Sequence, residues 1–184
     1  TVGAILQNGV DIKSFDISAY REQFSVAFQD FNLYATSLKN NICMGRNEDA
    51  EKLSFVLEKA ELSDEVADSD VQLTREFSDA GIMFSGGQEQ RLVLARVFYK
   101  DTEVIVMDEP AAAMDILFER KFYNLLFETL KEKTVIFISH RLSSVTACDK
   151  ILYMENGRIL EEGTHDELIF RKGAYYELFR AQFD

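Results

Sequence analysis

Three apolar runs in this chain end in polar side chains that can do chemistry. Gln29-Asp30 follows "SVAF", Asp108-Glu109 follows "VIVM", and Ser139-His140 follows "VIFI". In open α/β sheets ligands bind at the carboxyl ends of the strands. Adjacent parallel strands would bring these three ends together, although they lie far apart in sequence. Asp108, closing a buried strand, can hold Mg²⁺, usually through water. Glu109 can orient or deprotonate an attacking water. Gln29 offers a neutral amide oxygen to the metal or to the water, and His140 can donate a hydrogen bond to a terminal phosphate. Taken alone, Asp108-Glu109 also reads as a strand end that caps the next turn, and His140 as a satisfied structural histidine.

A fourth stretch, "MFSGGQEQRLVLAR" from Met83 to Arg96, places Ser85-Gly86-Gly87 ahead of a helical run. The first N–H groups of a helix have no internal partner. Glycines let those groups approach an anion closely, and the helix dipole favours negative charge there. With the Ser85 hydroxyl as a further donor, the stretch can hold phosphate oxygens. Serine and glycine are also common in ordinary turns and caps.

The elements that must position these residues follow from pattern. "GAILQNGVDI" and "KILYMENGRILEEG" each carry Asn-Gly between apolar runs, a hairpin signal. Residues 24–30 read as a short buried strand. Residues 36–80 show helical spacing, with Leu53, Val56, Leu57 and Ala60 on one face. Leu92, Leu94, Ala95 and Phe98 can pack inward from the helix after Gly87. "EVIVMDEP" (103–110) and "TVIFISH" (134–140) read as strands buried on both faces of a parallel sheet, joined by an amphipathic helix over 116–131. Pro110 follows the first of them, where it cannot interrupt the ladder. Two helices close the chain, the first capped by Thr164 with Glu167 completing a capping box. Strand–helix–strand alternation predicts an α/β fold with a parallel sheet.

The chain has 184 residues, 47% hydrophobic and 28% charged, enough for a substantial core. The net charge of −12 speaks against a nucleic-acid or anionic-membrane surface. Eleven acidic and three basic residues lie between Glu48 and Asp79, which reads as a solvated helical face. Cys43 and Cys148 form no CxxC pair, and with two histidines a zinc site is not indicated. Reduced thiols fit a cytosolic compartment. No apolar run approaches the roughly 18–20 residues that span a bilayer. The chain starts at Thr1 and runs straight into "VGAILQNGVDI", which reads as a start in mid-domain.

"FSGGQEQRLVLAR" resembles the signature motif of the ATP-binding cassette (ABC) ATPases. "VIVMDEP" resembles their Walker B strand with its catalytic glutamate at Glu109. "AAAMD" resembles the D-loop ending in Asp115, and "ISHRLSSV" the switch-histidine segment. "VAFQDFNLYATSLKNNICMG" is similar to the Q-loop and helical subdomain start of exporter-type members. "GRILEEGTHDEL" and "GAYYELFRAQ" are similar to their C-terminal end. The motifs span essentially the whole chain in the family's order.

The resemblance implies a RecA-like P-loop NTPase core with a parallel sheet and an inserted α-helical subdomain, the N-terminal β part being incomplete. Residues 1–184 would be the C-terminal part of one ATPase domain, about 31–95 the helical subdomain and 96–184 the core. It implies ATP and Mg²⁺ as ligands, with Gln29 and Asp108 at the metal and Glu109 and His140 as catalytic residues. Asp115 would contact nucleotide from the D-loop. Two such domains would pair head to tail around two ATP molecules, Ser85, Gly86, Gly87 and Gln88 gripping the γ-phosphate carried by the partner. A transmembrane domain would be the other partner, at the cytoplasmic face of the membrane, and no nucleic acid is implied. Phe31, Leu33 and Tyr34 are candidates for that contact, and read equally as ordinary core residues.

The sequence also departs from the family. No G-x-x-x-x-G-K-[ST] occurs in these residues. That loop normally cradles the phosphates, and in relatives it lies upstream of "GAILQNGVDI". The chain as it stands is therefore expected to bind ATP poorly, within a hydrolysis-competent longer protein. Phe84 replaces the usual signature leucine and should still pack. Ala111 and Ala112 replace hydroxyl residues, and Met114 a leucine. A soluble ABC-type ATPase with no transport role is the alternative, and an inert fragment a third possibility.

Overall fold

The computed structural model describes residues 3–183 except residues 65, 67, 78 and 113. Two compact units follow one another in the chain, Thr1–Ile138 and Ser139–Asp184. The first opens with a hairpin, β1 (Leu6–Gln7) and β2 (Val10–Asp11). Asn8 at φ 50° and Gly9 at φ 82° turn it, the positive angles that a two-residue hairpin needs. A 3-10 turn over Ile12–Ser14 and helix α1 (Ile17–Glu22) lead to strand β3 (Phe24–Ala27). Asp16 caps α1 by accepting from the N–H groups of Ser18 and Ala19.

Strand β3 pairs in parallel with β4 (Val104–Asp108), and β4 in parallel with β5 (Thr134–Ile138). The expected parallel sheet is thus present. The crossover from β4 to β5 is α5 (Ile116–Thr129). Between β3 and β4 lie α2 (Leu38–Cys43), α3 (Ala50–Lys59) and α4 (Gly86–Lys100). One cluster unites the helices with one face of the sheet: Leu53, Val56, Leu57 and Ala60 join Leu92, Leu94, Ala95 and Phe98, together with Ile105 and Met107. Phe84 is buried in it, so the aromatic at the signature position packs inward. Ser25 and Thr102, both buried, satisfy each other through their hydroxyls at 2.8 Å.

Three expectations need correction. The strands are not buried on both faces: Val26, Ile136 and Ile138 on the second face are 44%, 53% and 52% exposed. The described helices α4 and α5 cluster with the opposite face, the side of Ile105 and Met107. Residues 36–80 are also less helical than their spacing suggests, since among the described residues only α2 and α3 form there. From Glu61 to Phe84 the described chain runs in turns and two isolated bridges, Ser37 to Gln72 and Leu73 to Ile82. Serine and aspartate are dense in this stretch, and such side chains compete with the helix for backbone groups. The Asp68 carboxylate, for example, accepts from the N–H of Asp70 at 2.8 Å. Finally, Gly86 and Gly87 do not precede α4 but form its first two residues. The described acidic residues from Glu48 to Asp79 are all exposed, as expected of a solvated stretch, and two of them, Asp70 and Glu48, pair with Lys39 at 2.8 and 3.3 Å.

The second unit holds α6 (Leu142–Val145), the hairpin β6 (Ile151–Glu155) and β7 (Arg158–Gly163), then α7 (His165–Arg171) and α8 (Ala174–Phe183). Asn156 and Gly157 turn the hairpin at φ 49° and 73°. Thr164 and Glu167 form the expected capping box of α7. Leu142, Ile151, Leu168 and Tyr175 make the core, and the Tyr175 hydroxyl meets Nδ1 of His165 at 2.9 Å. Among the described residues no helix is long and apolar enough to cross a membrane.

The start of α8 depends on a carboxylate borrowed from β7. Glu161 accepts from the N–H groups of Ala174 at 2.8 Å and Tyr175 at 3.1 Å. A Cβ at Gly173 would overlap that carboxylate. Gly173→Ala is therefore expected to cost about 1–2 kcal/mol, the worth of a lost helix cap, measured by urea denaturation; an unchanged midpoint would show that Glu161 can retreat without losing its bonds. The Cys148 thiol, half-buried and beside Asp149, is pushed up to about 11, first by burial and then by the neighbouring charge. At pH 8 only about one thiol in a thousand is then thiolate. Alkylation of Cys148 by iodoacetamide, followed by mass spectrometry, should be slow at pH 8 and rise steeply towards pH 11. Rapid labelling at pH 7 would contradict this.

Candidate functional site

The parallel register sets the site. Ala27 of β3 stands opposite Met107 of β4. Two residues further along each chain come Gln29 and Glu109, and Gln29 Nε2 donates to Glu109 Oε2 at 3.4 Å. Asp108, half-buried, is the last residue of β4. The Glu109 N–H donates to the carbonyl of Ile138 at 3.0 Å, which fixes its backbone to the end of β5. Glu109 has φ 47°, a left-handed conformation that a side-chain-bearing residue seldom adopts. The following Pro110, buried, disfavours the ordinary helical conformation at 109. Such strain persists only where the surroundings hold it, and it concentrates at functional sites. A recess beside the pair is lined by Phe28, Phe31, Gln90, Val93 and Pro110.

Asp108 and Gln29 together supply two oxygen donors. Among the described residues no group of three or more acidic, histidine or cysteine side chains could hold a metal. A donor set this sparse does not suit a cation that needs a protein cage. It fits Mg²⁺, which keeps several waters and binds through one or two protein groups plus substrate phosphates.

Ser85, Gly86, Gly87 and Gln88 sit together at the N-terminus of α4. Ser85 is the N-cap, and a capping box joins it to Gln88: Gln88 Oε1 accepts from the Ser85 N–H at 2.7 Å, and Ser85 Oγ accepts from the Gln88 N–H at 3.4 Å. Of the two readings of Ser85 given by its sequence, the ordinary helix cap is the one present within this chain. Among the described residues, nothing beyond its chain neighbours and the helix's own backbone lies within 4 Å of where a Cβ at Gly87 would sit. The chain's own packing therefore does not require glycine at 87, where alanine would favour the helix by about 1 kcal/mol.

Asp115 caps α5, accepting from the N–H groups of Leu117 at 2.9 Å and Phe118 at 3.1 Å. Ala111 and Met114 of the same loop are buried, Ala112 is exposed, and Ala113 lies outside the described residues. His140 belongs to the second unit, where it is exposed and its carbonyl accepts from Gln182 Nε2 at 2.9 Å. Phe31 and Leu33 are half-buried against the core, whereas Tyr34 is exposed. Two polar residues escaped the sequence pattern. Arg96 stands among the buried Leu92–Tyr99 of α4, and its guanidinium binds Asn41, itself fully buried. A lone arginine within so apolar a helical run was the available signal.

The described geometry has counterparts in known proteins. The ABC transporter family model matches residues 1–112. Over 183 residues the chain is 40% identical to the ATP-dependent lipid A-core flippase of Paraburkholderia xenovorans, a match covering 100% of this chain and 31% of that protein. It is 37% identical over 186 residues to the mitochondrial iron-sulfur clusters transporter ATM1 of Candida glabrata, covering 99% and 26%. A solved structure of a bacterial Atm1-family ABC exporter with ATP bound superposes with a TM-score of 0.89 at 28% identity, over 100% of this chain and 32% of that one. The chain thus spans about a quarter to a third of the length of the relatives it matches. With the family match extending from the first hairpin past β4 and Glu109, and the whole α/β arrangement shared with that exporter, this chain belongs to the ABC transporter family.

Proposed function

We propose that this chain belongs to an ATP-binding and ATP-hydrolysing domain that drives an exporter-type ABC transporter. The observation that carries the reading is the pairing of Gln29 with Glu109 beside Asp108 at the ends of two parallel strands. In this reading residues 31–95 are the helical subdomain and 96–184 belong to the core. Asp108 and Gln29 hold Mg²⁺, which when bound neutralises charge on the phosphates of ATP. Glu109 accepts a proton from the attacking water, and Gln29, hydrogen-bonded to it, orders that water. His140 donates a hydrogen bond to the terminal phosphate.

Ser85 and Gln88 already satisfy each other, so the N–H groups of Gly86 and Gly87 at the head of α4 are the natural donors to an anion. That anion is the γ-phosphate of ATP carried by a second ATPase domain, paired head to tail with this one. The open position beside Gly87 supports this, since a ligand from outside the chain explains the glycine. The other partner is a transmembrane domain of the transporter at the cytoplasmic face of the membrane, contacting this domain near the exposed Tyr34.

Two substitutions in the full-length protein test the reading. Glu109→Gln should lower ATP hydrolysis by about a hundredfold or more while ATP-bound dimers accumulate; hydrolysis at the parental rate would remove Glu109 from the chemistry. Gly87→Ala should leave thermal stability unchanged or raise it, by up to about 1 kcal/mol, yet lower ATP hydrolysis about tenfold or more. A variant equally stable and fully active would show that no ligand approaches that helix start.

A further inference from the structure

Helix α4 carries two cations four residues apart on one face, Arg96 and Lys100. They grip the backbone on either side of Gln29's strand. Lys100 Nζ donates to the carbonyls of Arg21 at 3.2 Å and Phe24 at 2.8 Å, where β3 begins. Arg96 Nη1 donates to the carbonyl of Asn32 at 3.0 Å, three residues beyond Gln29. Its Nε and Nη2 donate to the carbonyl and the side-chain oxygen of Asn41, each at 2.8 Å. Asn41 passes the grip on: it accepts from the N–H of Tyr34 at 3.0 Å and donates to the Tyr34 carbonyl at 2.9 Å. The Tyr34 ring stacks with the guanidinium, 5.6 Å from its centroid.

Core packing does not ask for this. A charge withdrawn from water is costly, and an apolar residue of similar volume serves a core at least as well. What the guanidinium supplies is a rigid fork matched to three acceptors from two segments, which the point charge of a lysine cannot reproduce. One acceptor, the Asn32 carbonyl, lies three residues beyond Gln29, and the other two are on Asn41 of α2, which itself holds the backbone of Tyr34.

We propose that Arg96 is a positioning residue which, through Asn32, Asn41 and Tyr34, ties the segment bearing Gln29 to helix α4 and so keeps the Gln29 amide on Glu109. The inference rests on the function proposed above. A shift at the N-terminus of α4, where the phosphate of the partner's nucleotide is held, then moves Gln29 with it instead of being absorbed by a loose loop.

The test is ATP hydrolysis by the full-length protein in two backgrounds, parental and Gln29→Ala. Arg96→Lys should lower kcat about tenfold with KM for ATP within about twofold, and should cost nothing further once Gln29 is alanine. Tyr34→Leu alters only the exposed ring and keeps the backbone bonds to Asn41. It should lower kcat about threefold, with the same dependence on Gln29, and it keeps the test available if thermal unfolding shows that Arg96→Lys does not fold. Unchanged kcat, or equal losses in both backgrounds, overturns the positioning role. Glu109→Gln measured alongside separates the two ideas: if it abolishes hydrolysis while the losses are equal, only the role of Arg96 falls, and if it hydrolyses at the parental rate, the reading of the site falls with it.

Discussion

Four backbone pairs between β3 and β4, from Phe24 with Val104 to Ala27 with Met107, join parts of the chain 80 residues apart. Gln29, Asp108 and Glu109 inherit their places from that ladder. The pairing is parallel, so both strands end on the same side, and Gln29 and Glu109 each follow a paired residue by two positions. A slip of one residue would turn Ser25 and Ala27 away from the core and Val26 into it. The buried hydroxyl pair of Ser25 and Thr102 and the apolar side of Ile105 and Met107 oppose such a slip. The neighbouring pairing of β4 with β5 supports the unusual backbone at Glu109, because β5 accepts its N–H at Ile138.

Helix α4 is the second organiser. It is buried along most of its length, and Leu92, Val93, Leu94, Ala95, Val97 and Phe98 hold it in the core. One end carries a closed capping box and two glycines whose N–H groups have no carbonyl behind them. The other half holds the backbone before and after β3 through Lys100 and Arg96. On the function proposed above, this rigid element would reach from a phosphate-gripping start to a water-ordering glutamine and so give a physical route between two sites. It works through hydrogen bonds to carbonyls, which depend on position more than on side-chain identity.

Much of this was legible in the chain. Asn8-Gly9 and Asn156-Gly157 turned as their types demand, because few other residues accept two successive positive φ angles. Thr164 and Glu167 capped α7 as spaced. The apolar face of α3 and the inward side of α4 were visible in spacing, since helical period leaves little choice. Other features were not legible. The run of serine and aspartate after α3 has helical spacing but local side-chain bonds that divert it into turns. The continuous apolar strands suggested burial on both faces, a pattern that does not reveal which neighbours are present to cover them.

By itself the sequence determined the local elements and the chemical types: two carboxylates and an amide at strand ends, a histidine, and a serine with two glycines at a helix start. These follow from short-range rules of period, turn and cap. Only the tertiary structure decided that Gln29 touches Glu109, that no described residue crowds the position beside Gly87, and that Arg96 is bound to Asn32 and Asn41. Those facts depend on strand register and on which carbonyls a buried helix meets. No local pattern encodes them, because they arise from the cooperative packing of residues tens of positions apart.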